Sequence, residues 1–244
     1  MESVSTVHIG ILSLATPDRP HFKSLDGILP AGVSIAHEGL GLLGESYQDL
    51  VGKSDQVIER AKAFLERHRV RGLMLTGGFV TLFNPGLEAK VSAAIGLPVA
   101  SAVSSAVAAL TTFGAKNVLL MTPFDTASDA IIQSHLESLG FTVYLGPPFE
   151  DRKAGSALKL NPDELFRLVK ATLETNPTTE AIYFQGATMD PLPIIQRLED
   201  SLGVPVVTSN SAMIWNLLSK LGLRYSVKNY GRLLAEWPAL ESRQ

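Results

Sequence analysis

The chain has 244 residues, a formal net charge of −3 and no cysteine, and it is 45% hydrophobic and 18% charged. That composition buries a sizeable core and excludes a disordered or collagen-like chain, and the length suits one large domain or two lobes but not three domains. The lack of thiols excludes disulfides, thiolate metal sites and cysteine nucleophiles, and the mild negative charge without a Lys/Arg stripe argues against nucleic acid and membrane surfaces as partners.

In chain order, short β-rich runs alternate with longer segments of helical period, the pattern of a parallel sheet covered by helices. Strands are predicted at His8–Leu14, Val33–His37, Gly72–Thr76, Leu97–Ser101, Asn117–Thr122, Thr142–Leu145, Ala181–Phe184 and Val204–Thr208. Helices are predicted at Ser54–Arg69, Gly86–Ile95, Ala102–Phe113, Asp125–Leu139, Pro162–Glu174, Pro191–Leu202 and Ser211–Leu221. Ser54-Asp55 and Asn161-Pro162 carry helix start signals, and Gly140, Gly203 and Gly222 fit helix stops. No apolar run reaches the roughly 18 residues of a membrane span, and Met1–Thr6 lacks a basic leader, so the expected location is cytoplasmic.

An internal repeat fixes the architecture further. Thr16-Pro17 recurs as Thr122-Pro123, an offset of 106; Leu75–Gly78 aligns with Tyr183–Gly186, an offset of 108; and Gly96–Ser101 aligns with Gly203–Thr208, an offset of 107. The chain therefore reads as two copies of one α/β unit, with the N-terminal lobe at residues 1–112 plus 210–244 and the C-terminal lobe at 113–209. The Thr-Pro and Gly-containing turns then lie at carboxyl ends of parallel strands, where open α/β sheets bind ligands. Two such edges face each other across a cleft, which centres the functional reading on Gly77–Thr81, Thr122–Asp125 and Gln185–Thr188.

Other motifs carry less. Gly39–Gly44 spells G-x-G-x-x-G, but the glycines follow the second strand and no helix opens on them, so a Gly-rich loop over the cleft is the better reading, with His37 and Glu38 beside it. No G-x-x-x-x-G-K-S/T loop, G-x-S-x-G elbow or metal-ligand histidine spacing is present, which leaves no metal and no nucleotide cofactor expected. His68 and His135 read as surface residues on helices. Ser104 and Ser105, with Ser209 and Ser211 in the repeat, read as helix caps. At Gly77, Gly78 and Gly186 tight turns with positive φ are expected, and their backbone N–H groups are candidates for holding an anion.

Several segments together resemble the aspartate/glutamate racemase superfamily, and within it the arylmalonate decarboxylase and maleate isomerase branch. They are Val7–Leu14, Glu38-Gly39-Leu40-Gly41-Leu42, Gly78–Gly86, Gly96–Leu110, Leu120–Asp125, Asp190-Pro191-Leu192-Pro193, Leu202–Val207 and Tyr230-Gly231-Arg232-Leu233. The resemblance implies an α/β fold of two pseudo-symmetric Rossmann-like lobes, each a mainly four-stranded parallel sheet flanked by helices. It also implies a cofactor-free cleft between them, acting on a small carboxylate through an enolate-type intermediate. The family's paired cysteines match Gly78, or its neighbour Gly77, and Gln185. Its hydroxyl side chains after the first turn become Phe79 and Val80, and its tyrosine after the fifth strand becomes Phe124. Glutamine cannot give up a proton near neutral pH, so an enzyme built this way needs His37, Glu38 or Asp125 to move it. The expected ligand contacts are Gly77, Gly78, Phe79, Val80, Thr81, Thr122, Phe124, Gly186 and Thr188. A chain that binds a small carboxylate or apolar acid without turnover is the other reading; oligomeric state is left open.

Overall fold

The computed structural model describes residues 6–14, 25–149, 160–186 and 188–240. Eight strands form: β1 (Val7–Ser13), β2 (Val33–Gly39), β3 (Leu73–Leu75), β4 (Val99–Ser101), β5 (Asn117–Met121), β6 (Thr142–Leu145), β7 (Ala181–Phe184) and β8 (Val206–Thr208). They make two four-stranded sheets of identical order, β2-β1-β3-β4 and β6-β5-β7-β8, and every pairing is parallel. β3 and β7 begin 108 positions apart and β4 and β8 107 apart, so the repeat read from Gly and Pro anchors is a repeat of topology. Thr16-Pro17, the first of those anchors, lies outside the described residues.

The helices are α1 (Leu25–Ile28), α2 (Ser54–Arg67), α3 (Gly78–Leu82), α4 (Leu87–Ile95), α5 (Ala102–Thr112), α6 (Thr126–Ser138), α7 (Pro162–Glu174), α8 (Ile195–Leu202), α9 (Ser209–Lys220) and α10 (Arg232–Glu236), with 3-10 turns at Tyr47–Leu50 and Leu192–Ile194. Among the described residues no helix is long and apolar enough to cross a membrane. The start at α7 follows the sequence: Asn161 accepts from Glu164 N, Glu164 answers the Asn161 N–H, and Pro162 occupies a position whose N–H has no helical partner. The serines divide differently from the expectation. Thr208 caps α9 by accepting from Ser211 N, and Ser101 occupies the corresponding place before α5. Ser104 hydrogen-bonds Glu88 instead, and Ser209 turns to Gln185.

Strand alternation sorts the core. On β1, Val7, Ile9 and Ile11 face a core that also holds Val118, Leu119 and Tyr183 of the second sheet, whereas Leu12 faces an outer core with Val57, Ala61 and Phe64 of α2. Gly10 makes the outer contact close: a Cβ there would stand 2.6 Å from the Phe64 ring. Between the sheets, α9 packs against α5, β3, β4 and β8, and every residue from Ser209 to Leu218 is buried. A helix buried all round suits a place between two layers. Each fully buried Leu or Ile there contributes on the order of 1.5–3 kcal/mol before entropy costs.

Candidate functional site

The turns after β3 and β7 do face each other. A Cβ built on Gly78 would lie 2.0 Å from Gln185 Nε2 and 3.0 Å from Gln185 Cδ, so the glutamine carboxamide occupies the volume a side chain at residue 78 would need. Gly78 is thus a steric glycine; its φ is not in the left-handed region, contrary to expectation. Gly77 and Gly186 do have positive φ, +89° and +108°. At Gly186 a Cβ would also meet Pro123 Cδ at 2.8 Å and the Phe124 ring at 2.9 Å, so the missing side chain lets the turn after β5 close on the turn after β7.

Gln185, 1% exposed, is held by two hydroxyls. Tyr183 Oη donates to Gln185 Oε1 at 2.8 Å and Ser209 Oγ at 2.5 Å. With Oε1 accepting both, the amide is oriented and Nε2 faces Gly78. Burial pushes the Tyr183 phenol well above its ordinary range, so it stays a neutral donor. Neither partner stood among the expected site residues. Tyr183 in β7 precedes Gln185, the first residue after that strand, by two, so the strand's alternation carries both to one side, and that period was the available signal. Ser209 follows β8, and only the fold brings it here.

The floor beside this pair is aromatic. Phe79 and Phe124 lie edge to face at 5.1 Å, and Tyr47 stacks on Phe79 at 4.4 Å and meets Phe124 at 5.5 Å. Tyr47 comes from the 3-10 turn after the Gly39–Gly44 segment, a residue the sequence pattern does not single out.

The acid and base candidates separate by strand face. Glu38 points from β2 to α2, where it accepts from Arg67 at 2.9 and 2.6 Å and pairs with His68 at 2.7 Å. The Arg67 hydrogen bonds, working against partial burial, hold its carboxyl down to about 2. This corrects the expectation that Glu38 moves a proton in an apolar cleft, because its charge is fixed by the Arg67 guanidinium on the other side of the sheet. His68 is correspondingly a hydrogen-bond partner of Glu38 more than a free surface residue. His37, one residue earlier, projects to the opposite face, the side of Ile9 and Ile11, and its Nε2 is 2.8 Å from Ser13 Oγ at the end of β1. Asp125 caps α6, accepting from Ser128 N at 2.7 Å.

The remaining candidates are scattered. Thr122 donates to the buried Asp129 and accepts from Phe124 N at 3.1 Å, which shapes the turn after β5. Val80 is fully buried in the outer core with Leu12, Leu40 and Leu75, so it packs the sheet and is not a ligand contact. Thr81 Oγ1 donates to Gly78 O at 3.0 Å and lines a separate cavity. Thr188 is half-buried two residues beyond Gly186.

Comparison with known proteins agrees with this fold. The model of the family described as arylmalonate decarboxylase matches residues 26–234. Among curated relatives, maleate isomerase of Alcaligenes faecalis is 30% identical over 139 residues, and that of Geobacillus stearothermophilus 25% over 138. Each stretch covers 57% of this chain, but only 54% and 55% of those two proteins, so the matches span just over half of the relatives' length. Among solved structures, a liganded double mutant of arylmalonate decarboxylase superposes with a TM-score of 0.82 at 20% identity, covering 95% of this chain and all of that one. The maleate isomerase of Pseudomonas putida S16 gives 0.79 at 16%, covering 95% and 99%. These structural likenesses establish two parallel-sheet lobes, and the family match adds kinship: the chain belongs to the arylmalonate decarboxylase family.

Proposed function

We propose that the protein is a cofactor-independent lyase or isomerase of a small carboxylic acid, working through an enolate-type intermediate whose developing oxyanion is held by Gln185. The observation that carries this is the orientation of that carboxamide. Tyr183 and Ser209 occupy Oε1, so Nε2 is a fixed donor on the Gly78 side. When a carboxylated carbon loses CO2 or a proton, the electron pair left on carbon spreads into the neighbouring carboxylate, and the new charge appears on oxygen. A donor already aimed at that oxygen is worth roughly 10²–10³ in rate, the more so beside the apolar Phe79 and Phe124. Gln185 stabilises charge but has no proton to give. Of the three candidate carriers, His37 fits best: it lies beside Ser13 on the inward face of β2, while Glu38 faces α2 and its cation Arg67 and Asp125 caps the start of α6. Relatives named maleate isomerase and arylmalonate decarboxylase support a small acid as ligand.

The test is turnover of phenylmalonate followed by proton NMR in D2O. Wild type should form phenylacetate, Gln185→Ala should lower kcat by about 10² with little change in KM, and His37→Gln should abolish turnover. Loss confined to KM would refute the oxyanion role. The engagement of Glu38 and Asp125 favours a second reading, a cleft that binds the acid without turnover. Calorimetric binding with no product from wild type would establish it, and Gln185→Cys, which places a thiol where the family carries its second cysteine, should then gain decarboxylase turnover.

A further inference from the structure

A cavity of about 850 Å3 lies apart from the Gly78–Gln185 pair, between α4, α5 and α9 on one side and the C-terminal end of α6 on the other. None of His37, Gly78, Phe79, Phe124 or Gln185 lines it. Its walls are mainly apolar, with Leu82, Leu87, Val103, Val107 and Leu139 among them. Leu139 is one of two large hydrophobic side chains left exposed among the described residues. The charges of Glu88 and Lys220 cancel within the wall. Lys220 donates to Glu88 at 2.7 Å and to Val99 O at 2.7 Å, while Glu88 also accepts from Ser101 N and from Ser104. Burial pushes the Glu88 carboxyl up, but the Lys220 charge and these hydrogen bonds outweigh it, and the group stays ionised with its partner in place. Thr81, Ser92 and Thr111 donate their hydroxyls to backbone carbonyls.

His135 is different. Its half-buried ring makes no hydrogen bond or ion pair, and burial pushes the imidazole below its ordinary value, so it is neutral at neutral pH. It stands four residues before Leu139, so the two side chains share one strip of α6 and both reach the cavity, while Ile132 and Leu136 face the core. A neutral imidazole offers one acceptor nitrogen and one N–H. A hydroxyl answers either of them, by donating or by accepting, whichever nitrogen faces the cavity. A carboxylate only accepts, and it would share the cavity with the Glu88 carboxylate. An alkylammonium only donates, and it gives up its hydration in an apolar space where Glu88 is already paired. The volume is that of cavities that hold small organic ligands. We propose that this cavity is a second small-molecule site, taking an uncharged alcohol or phenol with an apolar body, its hydroxyl head on the His135 ring. Asn216 is not that anchor, because its unpaired Oδ1 is sealed within the packing. Thr81 and Val103 belong both to this wall and to the surroundings of Gly78, whose carbonyl accepts from Thr81 and whose missing Cβ leaves room for Val103. The occupant therefore touches residues that support the turn facing Gln185.

The experiment is an NMR titration of the ¹⁵N-labelled full chain with 1-hexanol and benzyl alcohol, and with hexanoate and hexylammonium as charged comparators. Saturable amide shifts should map to α5, α9 and the end of α6, the His135 ring nitrogens should shift with them, and the alcohols should bind at least about tenfold tighter than either ion. His135→Phe keeps a ring but removes both nitrogens, and Ala108→Phe fills the cavity from a half-buried wall position. Each should weaken hexanol about tenfold with the circular dichroism spectrum unchanged, whereas His135→Gln, which still donates and accepts, should hold it within about threefold. Absence of saturable shifts in wild type, unmoved His135 ring nitrogens, equal affinity for either ion, or undiminished affinity in folded His135→Phe or folded Ala108→Phe would overturn the assignment. The ring-nitrogen shifts and the ion comparison are read on wild type, so they decide the matter even where a variant fails to fold. Shifts that depend only on protein concentration and vanish in Leu139→Arg would also overturn it, by assigning the cavity to contact between two copies of the chain.

Discussion

The closest approach between the two halves of the site makes a quantitative prediction. Replacing Gly78 by Ala puts a methyl 2.0 Å from Gln185 Nε2 and 3.0 Å from both Gln185 Cδ and Val103 Cγ2. The carboxamide must retreat by more than an ångström, which breaks its bonds from Tyr183 and Ser209. Overpacking costs about 1–3 kcal/mol and each lost buried hydrogen bond about 1, so Gly78→Ala should destabilise by about 3 kcal/mol. Gln185→Ala alone should cost about 2, since the two hydroxyls lose their acceptor but lie 3.3 Å apart and can pair with each other. With the glutamine gone, only the Val103 contact opposes the methyl, and Gly78→Ala should then cost about 1 kcal/mol. Urea unfolding of the four proteins, followed by circular dichroism at neutral pH, measures a coupling of about 2 kcal/mol between the sites. A cost below about 1 kcal/mol for Gly78→Ala in wild type, or the same cost in both backgrounds, would refute the argument that Gln185 makes residue 78 a glycine.

Other predictions follow from the same geometry. Glu38→Gln should lose about 1 kcal/mol at neutral pH, because the partners are partly exposed. Since folding lowers the Glu38 carboxyl from 4.5 to about 2, its contribution is complete above 4.5 and fades as pH falls toward 2. Wild type and variant should thus converge in acid, and a gap that persists to pH 2 would contradict the ion-pair account. Asp125→Ala should cost about 1 kcal/mol through the lost cap of α6, with Asp125→Ser retaining most of it in thermal melts. Asn84 is buried, donates to Leu50 O and Val80 O, and accepts from Ser54 Oγ. Asn84→Ala should cost about 2–3 kcal/mol in the same melts and loosen the segment that carries Tyr47; no shift in midpoint would show these bonds to be idle.

Much of this protein is written in local sequence. The β-rich runs each became strands, because parallel strands buried on both faces read as short continuous apolar runs such as Val118-Leu119-Leu120, separated by helical periods. The near-constant offset between Gly and Pro anchors determined that the two sheets share one topology, and it placed Gly78 and Gln185 at equivalent strand ends. Short elements escaped, among them α3 and the turn at Tyr47, since four or five residues carry no period to read.

What only the tertiary structure decided is which neighbours each side chain meets. His37 and Glu38 are adjacent in sequence, yet strand alternation sends one toward Ser13 and the inner core and the other to Arg67 and His68 on α2. Gly77 and Gly78 look alike in sequence, but the first is required by its backbone angle and the second by a carboxamide 107 residues away. Ser209 and Ser211 both read as caps, and only the packing of α9 between the sheets turned Ser209 onto Gln185. The sequence by itself determined the two-sheet frame because periodicity and turn chemistry are local. It could not determine the donor that the frame holds in place, because that donor's orientation depends on Ser209, which meets it only once β8 has paired with β7.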